Sequence, residues 1–137
     1  MGSKAPSETQ AGDYVATPSD GSGPGVLVLH AWWGLNEFFR EFCRRLAEEG
    51  YVALAPDLND GAVAATVEEA EALMERRDSA ATHEAVMSAV ERLRSNPGVV
   101  GDGIAVVGFS MGGAWSLVAA SERPDDVAAV VLFYGNY

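Results

Sequence analysis

The sequence predicts an α/β fold in which a parallel sheet carries helices on both faces. Three observations predict it. Short apolar runs of strand-forming residues recur along the chain, such as "VLVLH" at 26–30 and "GIAVVG" at 103–108. Between them lie longer stretches whose apolar residues return every three or four positions. The two kinds of segment alternate, and that order implies parallel pairing through right-handed crossovers.

Tyr14–Ala16 reads as a short strand ahead of the turn-rich "TPSDGSGPG". Val26–His30 is the continuous apolar run of an interior strand. Asn36 can cap the following helix, where Phe38, Phe42 and Leu46, with Phe39 and Cys43 beside them, form an apolar stripe. Arg40, Glu41, Arg44 and Glu48 then face water. Gly50 ends this helix, and "YVALAPDL" begins the next strand. After a loop, Thr66 and Glu69 have the spacing of a reciprocal helix cap, with Val67, Ala70 and Met74 expected on the buried side and Leu73 adjacent. Val86, Ala89, Val90 and Leu93 share one face of a further helix that "SNPG" stops. "GIAVVG" is the third interior strand, and Ala114, Trp115 and Val118 are expected on the inward side of the helix behind it. "AAVVLFYG" at 128–135 is the fourth. A strand this apolar needs both faces buried, and only two residues follow it. The chain therefore reads as the first part of a larger domain, its last strand covered by a complementary fragment or by a second copy in a homo-oligomer.

Composition narrows the function classes. The chain has 137 residues, 48% of them hydrophobic and 21% charged, which is the balance of a globular domain. Twenty Asp and Glu oppose nine Lys and Arg, and the resulting charge of −11 repels phosphate backbones, so nucleic acid is not an expected partner. The single cysteine, Cys43, excludes an internal disulfide framework and fits a cytoplasmic protein. Residues 1–13 read as a flexible polar lead without an apolar signal core, and no apolar run reaches the length of a membrane span.

The chemistry is expected at "GFSMG", residues 108–112. A G-x-S-x-G pentapeptide between a strand and a helix is a nucleophile elbow, with glycines two before and two after the serine because the backbones there pack too closely for a side chain. Ser110 is the candidate nucleophile. Attack on a carbonyl needs donors for the developing oxyanion, and the backbone N–H groups of Met111 and Trp32 are the candidates. Trp32 and Trp33, at the carboxyl end of a central strand, are candidate walls of the substrate pocket, with His30 beside them. His30 can also be the base, or a packed and hydrogen-bonded histidine that shapes the loop. His83 lies in an acidic helical region and reads as exposed or capping. Asp57 reads as a loop-fixing carboxylate rather than a catalytic one. No metal-ligand spacing and no phosphate-loop lysine occur, so neither a metal nor a nucleotide cofactor is expected.

These segments in series, "VLVLHAWWGLNEFFREFCRRLAEEGYVALAPDLNDG", "TVEEAEALM", "GIAVVGFSMGGAW" and "VVLFYG", resemble the dienelactone hydrolase family of α/β hydrolases. The resemblance implies a cofactor-free hydrolase of small esters or lactones, with a nucleophile, an aspartate and a histidine in that chain order. It places Ser110 at the nucleophile position and Met111 and Trp32 at the oxyanion hole. Residues 14–137 would be the amino-terminal, nucleophile-bearing part of an α/β-hydrolase domain that lacks its carboxyl-terminal strands, so the catalytic Asp and His would lie on a segment absent from this chain. The archetypal member has a cysteine where this chain has Ser110 and a glutamate where it has Ala31, and both departures point toward an ordinary serine esterase. The alternatives are a non-catalytic ligand- or partner-binding module that keeps the scaffold, and an acyltransferase.

Overall fold

The computed structural model describes residues 12–134 and the backbone of Ser7–Glu8. Its sheet has the order β1-β2-β4-β3-β5-β6, where β1 is Ser7–Glu8, β2 Tyr14–Thr17, β3 Gly23–Leu29, β4 Val52–Ala55, β5 Val99–Phe109 and β6 Val127–Phe133. Strands β4, β3, β5 and β6 are mutually parallel as expected. The sheet as a whole is mixed, because β2 runs antiparallel to β4 and β1 antiparallel to β2. Most of the expected flexible lead lies outside the described residues, but Ser7 and Glu8 pair with β2. Asp13 receives the Asp57 N–H at 2.8 Å and pairs with Arg92.

Alternation along the strands divides the core. Val26, Val28, Ala53, Ala55, Val107 and Phe109 face α1, Glu37–Glu48, on one side. Leu27, Leu29, Val52, Leu54, Ile104 and Val106 face α3, Ser79–Ser95, and α4, Met111–Glu122, on the other. Both faces of the central strands are buried, as an apolar run without polar alternation requires. Asn36 caps α1 through the Phe39 N–H. The helix ends in paired bonds from Gly50 N–H to Ala47 O and Tyr51 N–H to Leu46 O, with Gly50 at φ 102°. Thr66 accepts from the Glu69 N–H at 3.1 Å while the Glu69 carboxylate accepts from the Ala65 N–H, so the expected reciprocal cap starts α2, Val67–Arg76, one residue off the usual pairing.

Three helical faces differ from expectation. In α1 the buried line is Phe39, Cys43 and Ala47, with Phe42 and Leu46 packed beside it. Phe38 is 60% exposed, its ring set edge-on against Phe39 and Phe109 at the carboxyl end of the sheet. In α2 only Ala70 is buried, while Val67 and Met74 are exposed and Leu73 is half-buried, because no strand packs broadly against this helix. In α4 the buried residues are Gly112, Gly113, Ser116 and Ala119, whereas Ala114 is exposed and Trp115 and Val118 are half-buried. Here α4 approaches the sheet so closely that only small residues fit: a Cβ on Gly112 would collide with the carbonyl oxygens of Leu29 and His30.

Among the described residues β6 is the outer strand beyond β5, and Val131, Leu132 and Phe133 on it are exposed. No helix among the described residues is long and apolar enough to cross a membrane.

Candidate active site

Ser110 stands between the end of β5 and the first turn of α4, with φ 55° and ψ −115°. A non-glycine residue at positive φ carries about 1–3 kcal/mol of strain that the surroundings must hold. They hold it in two ways. The Ser110 N–H donates to Phe133 O on β6, and the Gly113 N–H donates to Ser110 O, each at 2.8 Å. Tight packing does the rest, since a Cβ on Gly108 would strike the Ser116 hydroxyl and the Gly112 backbone. The turn is thus a tight strand-to-helix elbow, with both flanking glycines required by close approach. It leaves the Ser110 side chain exposed rather than tucked into a cap, and the hydroxyl makes no capping bond to α4.

The loop after β3 is shaped from beneath by His30. Its imidazole is wholly buried, with Nε2 accepting from the Leu58 N–H at 2.9 Å. The proton therefore sits on Nδ1, which donates to Ala31 O at 2.7 Å. Burial pushes the imidazole down from the ordinary 6.5 to about 4, against the opposing pull of the Ala31 hydrogen bond. His30 is accordingly neutral, fully engaged and unsuited to be the base, and it does not line the pocket beside which it was expected. The Gly34 N–H also donates to Ala31 O, at 3.1 Å. In a trans peptide the N–H opposes the C=O, so two donors on Ala31 O fix the direction of the Trp32 N–H. That N–H donates to no acceptor among the described residues. The Met111 N–H, at the first position of α4, is one of the donors every helix leaves without an internal partner.

Ser110, Trp32 and Trp33 line one cavity of about 380 Å³, together with Ala31, Asn36, Phe38, Phe39, Phe109 and Tyr134. The two indoles meet edge to face, with centroids 5.9 Å apart. The structure thus brings together the nucleophile candidate and both tryptophans. Periodicity placed Phe38 in the core, yet its ring lies on this wall. Tyr134, at φ 60°, also borders the cavity, and no local pattern marked it.

The remaining candidates lie elsewhere. His83 is half-buried on the surface and meets Glu122 at 2.7 Å. Asp57 accepts from the Asn59 and Gly61 N–H groups, each at 2.9 Å, as a loop-fixing carboxylate does. The Cys43 thiol is buried, and burial pushes it up to about 12. Among the described residues no three His, Cys, Asp or Glu cluster as metal ligands would.

An elbow on an α/β sheet fixes no family, and comparison with known proteins does. The model of the dienelactone hydrolase family matches residues 12–137. The chain belongs to the dienelactone hydrolase family. It is 40% identical over 132 residues to "Protein usf" of Aquifex pyrophilus, covering 89% of this chain and 55% of that protein. To "Putative carboxymethylenebutenolidase" of Aquifex aeolicus it is 34% identical over 128 residues, with the same two coverages. Among solved structures, the one named m3DLH superposes with a TM-score of 0.83 at 31% identity, covering 97% of this chain and 61% of that one. The chain thus spans about half the length of the curated relatives it matches. Its scaffold is that of the family's α/β-hydrolase fold.

Proposed function

We propose that the protein is a serine-dependent hydrolase of small carboxylic esters or lactones and that this chain carries its nucleophile. The observation that carries the reading is the exposed Ser110 on a strained turn, opening into the same tryptophan-walled cavity as Trp32. Ser110 Oγ attacks the acyl carbonyl and its proton passes to a histidine. The oxyanion lies against the N–H groups of Met111 and Trp32, each a donor of a kind worth about 3–4 kcal/mol to the transition state. Collapse expels the alcohol, which takes the proton from the histidine; in a lactone the alcohol stays tethered to the acyl group. Water then attacks the acyl-enzyme, gives a proton to the same histidine, and Ser110 recovers its own.

Both histidines of this chain are engaged elsewhere, His30 under the loop and His83 with Glu122. We therefore assign the base and its orienting aspartate to a complementary portion of the same hydrolase, which would also cover β6; a second copy of the chain is the other candidate for that cover. The greater length of the relatives and the exposed Val131, Leu132 and Phe133 support this assignment. The apolar walls fit a small uncharged acyl group, and the name of the Aquifex aeolicus relative favours lactones among its substrates. A cytoplasmic setting fits the lone buried thiol.

The test is Ser110→Ala in the full-length protein, assayed with p-nitrophenyl acetate and an unsaturated γ-lactone. The reading expects turnover of both to fall by at least about a thousandfold. Retained turnover of either substrate by the folded variant overturns it.

A further inference from the structure

We propose that Asn59 and Arg77 form a strap that holds the two halves of the oxyanion hole in register, which makes both of them positioning residues for hydrolysis. The inference rests on the roles given above to Ser110, Trp32 and Met111. Those two donors sit on separate elements, one on the loop after β3 and the other at the start of α4. An oxyanion hole works only if its donors keep their spacing to within a fraction of an ångström.

The strap spans that gap. Asn59, on the loop after β4, donates from Nδ2 to Trp32 O at 3.4 Å and accepts on Oδ1 from Arg77 Nη2. Arg77, at the end of α2, directs Nη1 at the sulfurs of Met111 and Met74, each at 2.7 Å. A continuous path therefore runs from Trp32 through Asn59 and Arg77 to Met111. His30 and Gly34 fix the peptide plane before Trp32 through Ala31 O, and Asn59 fixes the one after it through Trp32 O. Asn59 is itself anchored, because its N–H donates to Asp57 and the neighbouring Leu58 N–H donates to His30.

Arg77 is otherwise hard to account for. In a protein with a charge of −11, among the described residues it makes no ion pair. Its Nε is buried without a partner, and burial holds the guanidinium below its ordinary range. A half-buried cation facing an amide oxygen and two thioethers gives up the carboxylate that a surface arginine would find. The bridge to Met111 is what its position accomplishes.

The experiment uses the full-length protein with Ser110→Ala, Arg77→Met, Asn59→Ala, Asn59→Asp and the Asn59→Ala/Arg77→Met double variant. Activity is read with p-nitrophenyl acetate, and transition-state affinity with an aryl trifluoromethyl ketone, whose carbonyl adds a serine to give an oxyanion. Arg77→Met and Asn59→Ala should each lower kcat about tenfold, leave KM within about twofold, and weaken the ketone by the same factor as kcat. The double variant should lose little more than either single one, because both cut the same strap. Asn59→Asp guards against misfolding: it keeps a partner for Arg77 but loses the donor to Trp32 O, so it should fold with an unchanged melting temperature and still lose activity. Wild-type kcat and ketone affinity in the folded Arg77 and Asn59 variants, beside an inactive Ser110→Ala, would overturn the strap and leave the serine reading standing. An active Ser110→Ala would overturn both.

Discussion

Acid should weaken this protein through His30. Its imidazole is wholly buried, accepts from the Leu58 N–H and donates to Ala31 O, an arrangement that only the neutral ring can make. The folded state holds it at about 4, against 6.5 for an unconstrained imidazole. Between those values the unfolded chain binds a proton that the folded chain refuses, so stability is fully present above pH 6.5 and is lost as pH falls through 4. From pH 7.5 to 4.5 the loss from this one group is about 2–3 kcal/mol. The comparison is with His30→Gln, which keeps an amide acceptor and donor but does not titrate. The variant should be the less stable protein at pH 7.5, through poorer hydrogen-bond geometry. Urea unfolding followed by tryptophan fluorescence at both pH values gives the difference between the two proteins, from which the carboxylates they share cancel. The advantage of wild type should shrink by about 2–3 kcal/mol at the lower pH. A difference that does not change with pH, or that grows as pH falls, would refute the neutral, doubly bonded imidazole.

Two further outcomes follow from burial and strain. Ser110→Gly should be about 1 kcal/mol more stable than Ser110→Ala by thermal unfolding, because glycine relieves φ 55° and alanine does not; equal stabilities would mean that the elbow is unstrained. Cys43, buried and held at about 12, should react with iodoacetamide at pH 8 only after unfolding, and rapid labelling of the folded protein would show that α1 does not seal it.

The parts of this account that were legible in the sequence are those encoded locally. Gly108, Ser110 and Gly112 announce the elbow because one tight turn imposes all three, and the strand–helix alternation gives the parallel core directly. Helix faces were less legible. The 3.6-residue period fixes the spacing of a stripe but not its rotation, which let Phe38 pass for core when it walls the cavity. In α4 the apolar pattern of Ala114, Trp115 and Val118 was misleading, because close approach to the sheet buries the small residues instead. The antiparallel β2 carries no signal of direction in its four residues. His30 was visible as a loop-shaping residue, but its neutrality comes from burial, and the N–H it accepts from belongs to Leu58, 28 residues away; both exist only in the folded chain. Asn59 and Arg77 were invisible, since a path from one loop to a helix end through two side chains exists only once the chain has folded.

The central claim is that Ser110 becomes acylated during turnover. The most direct measurement is to quench the full-length protein with acid while it turns over a slowly deacylating p-nitrophenyl ester, then locate the acyl group by peptide mass spectrometry. The account predicts one acyl mass increment per active site on the peptide carrying Ser110, absent from Ser110→Ala. Burst release of p-nitrophenol with the acyl group on another residue would contradict it.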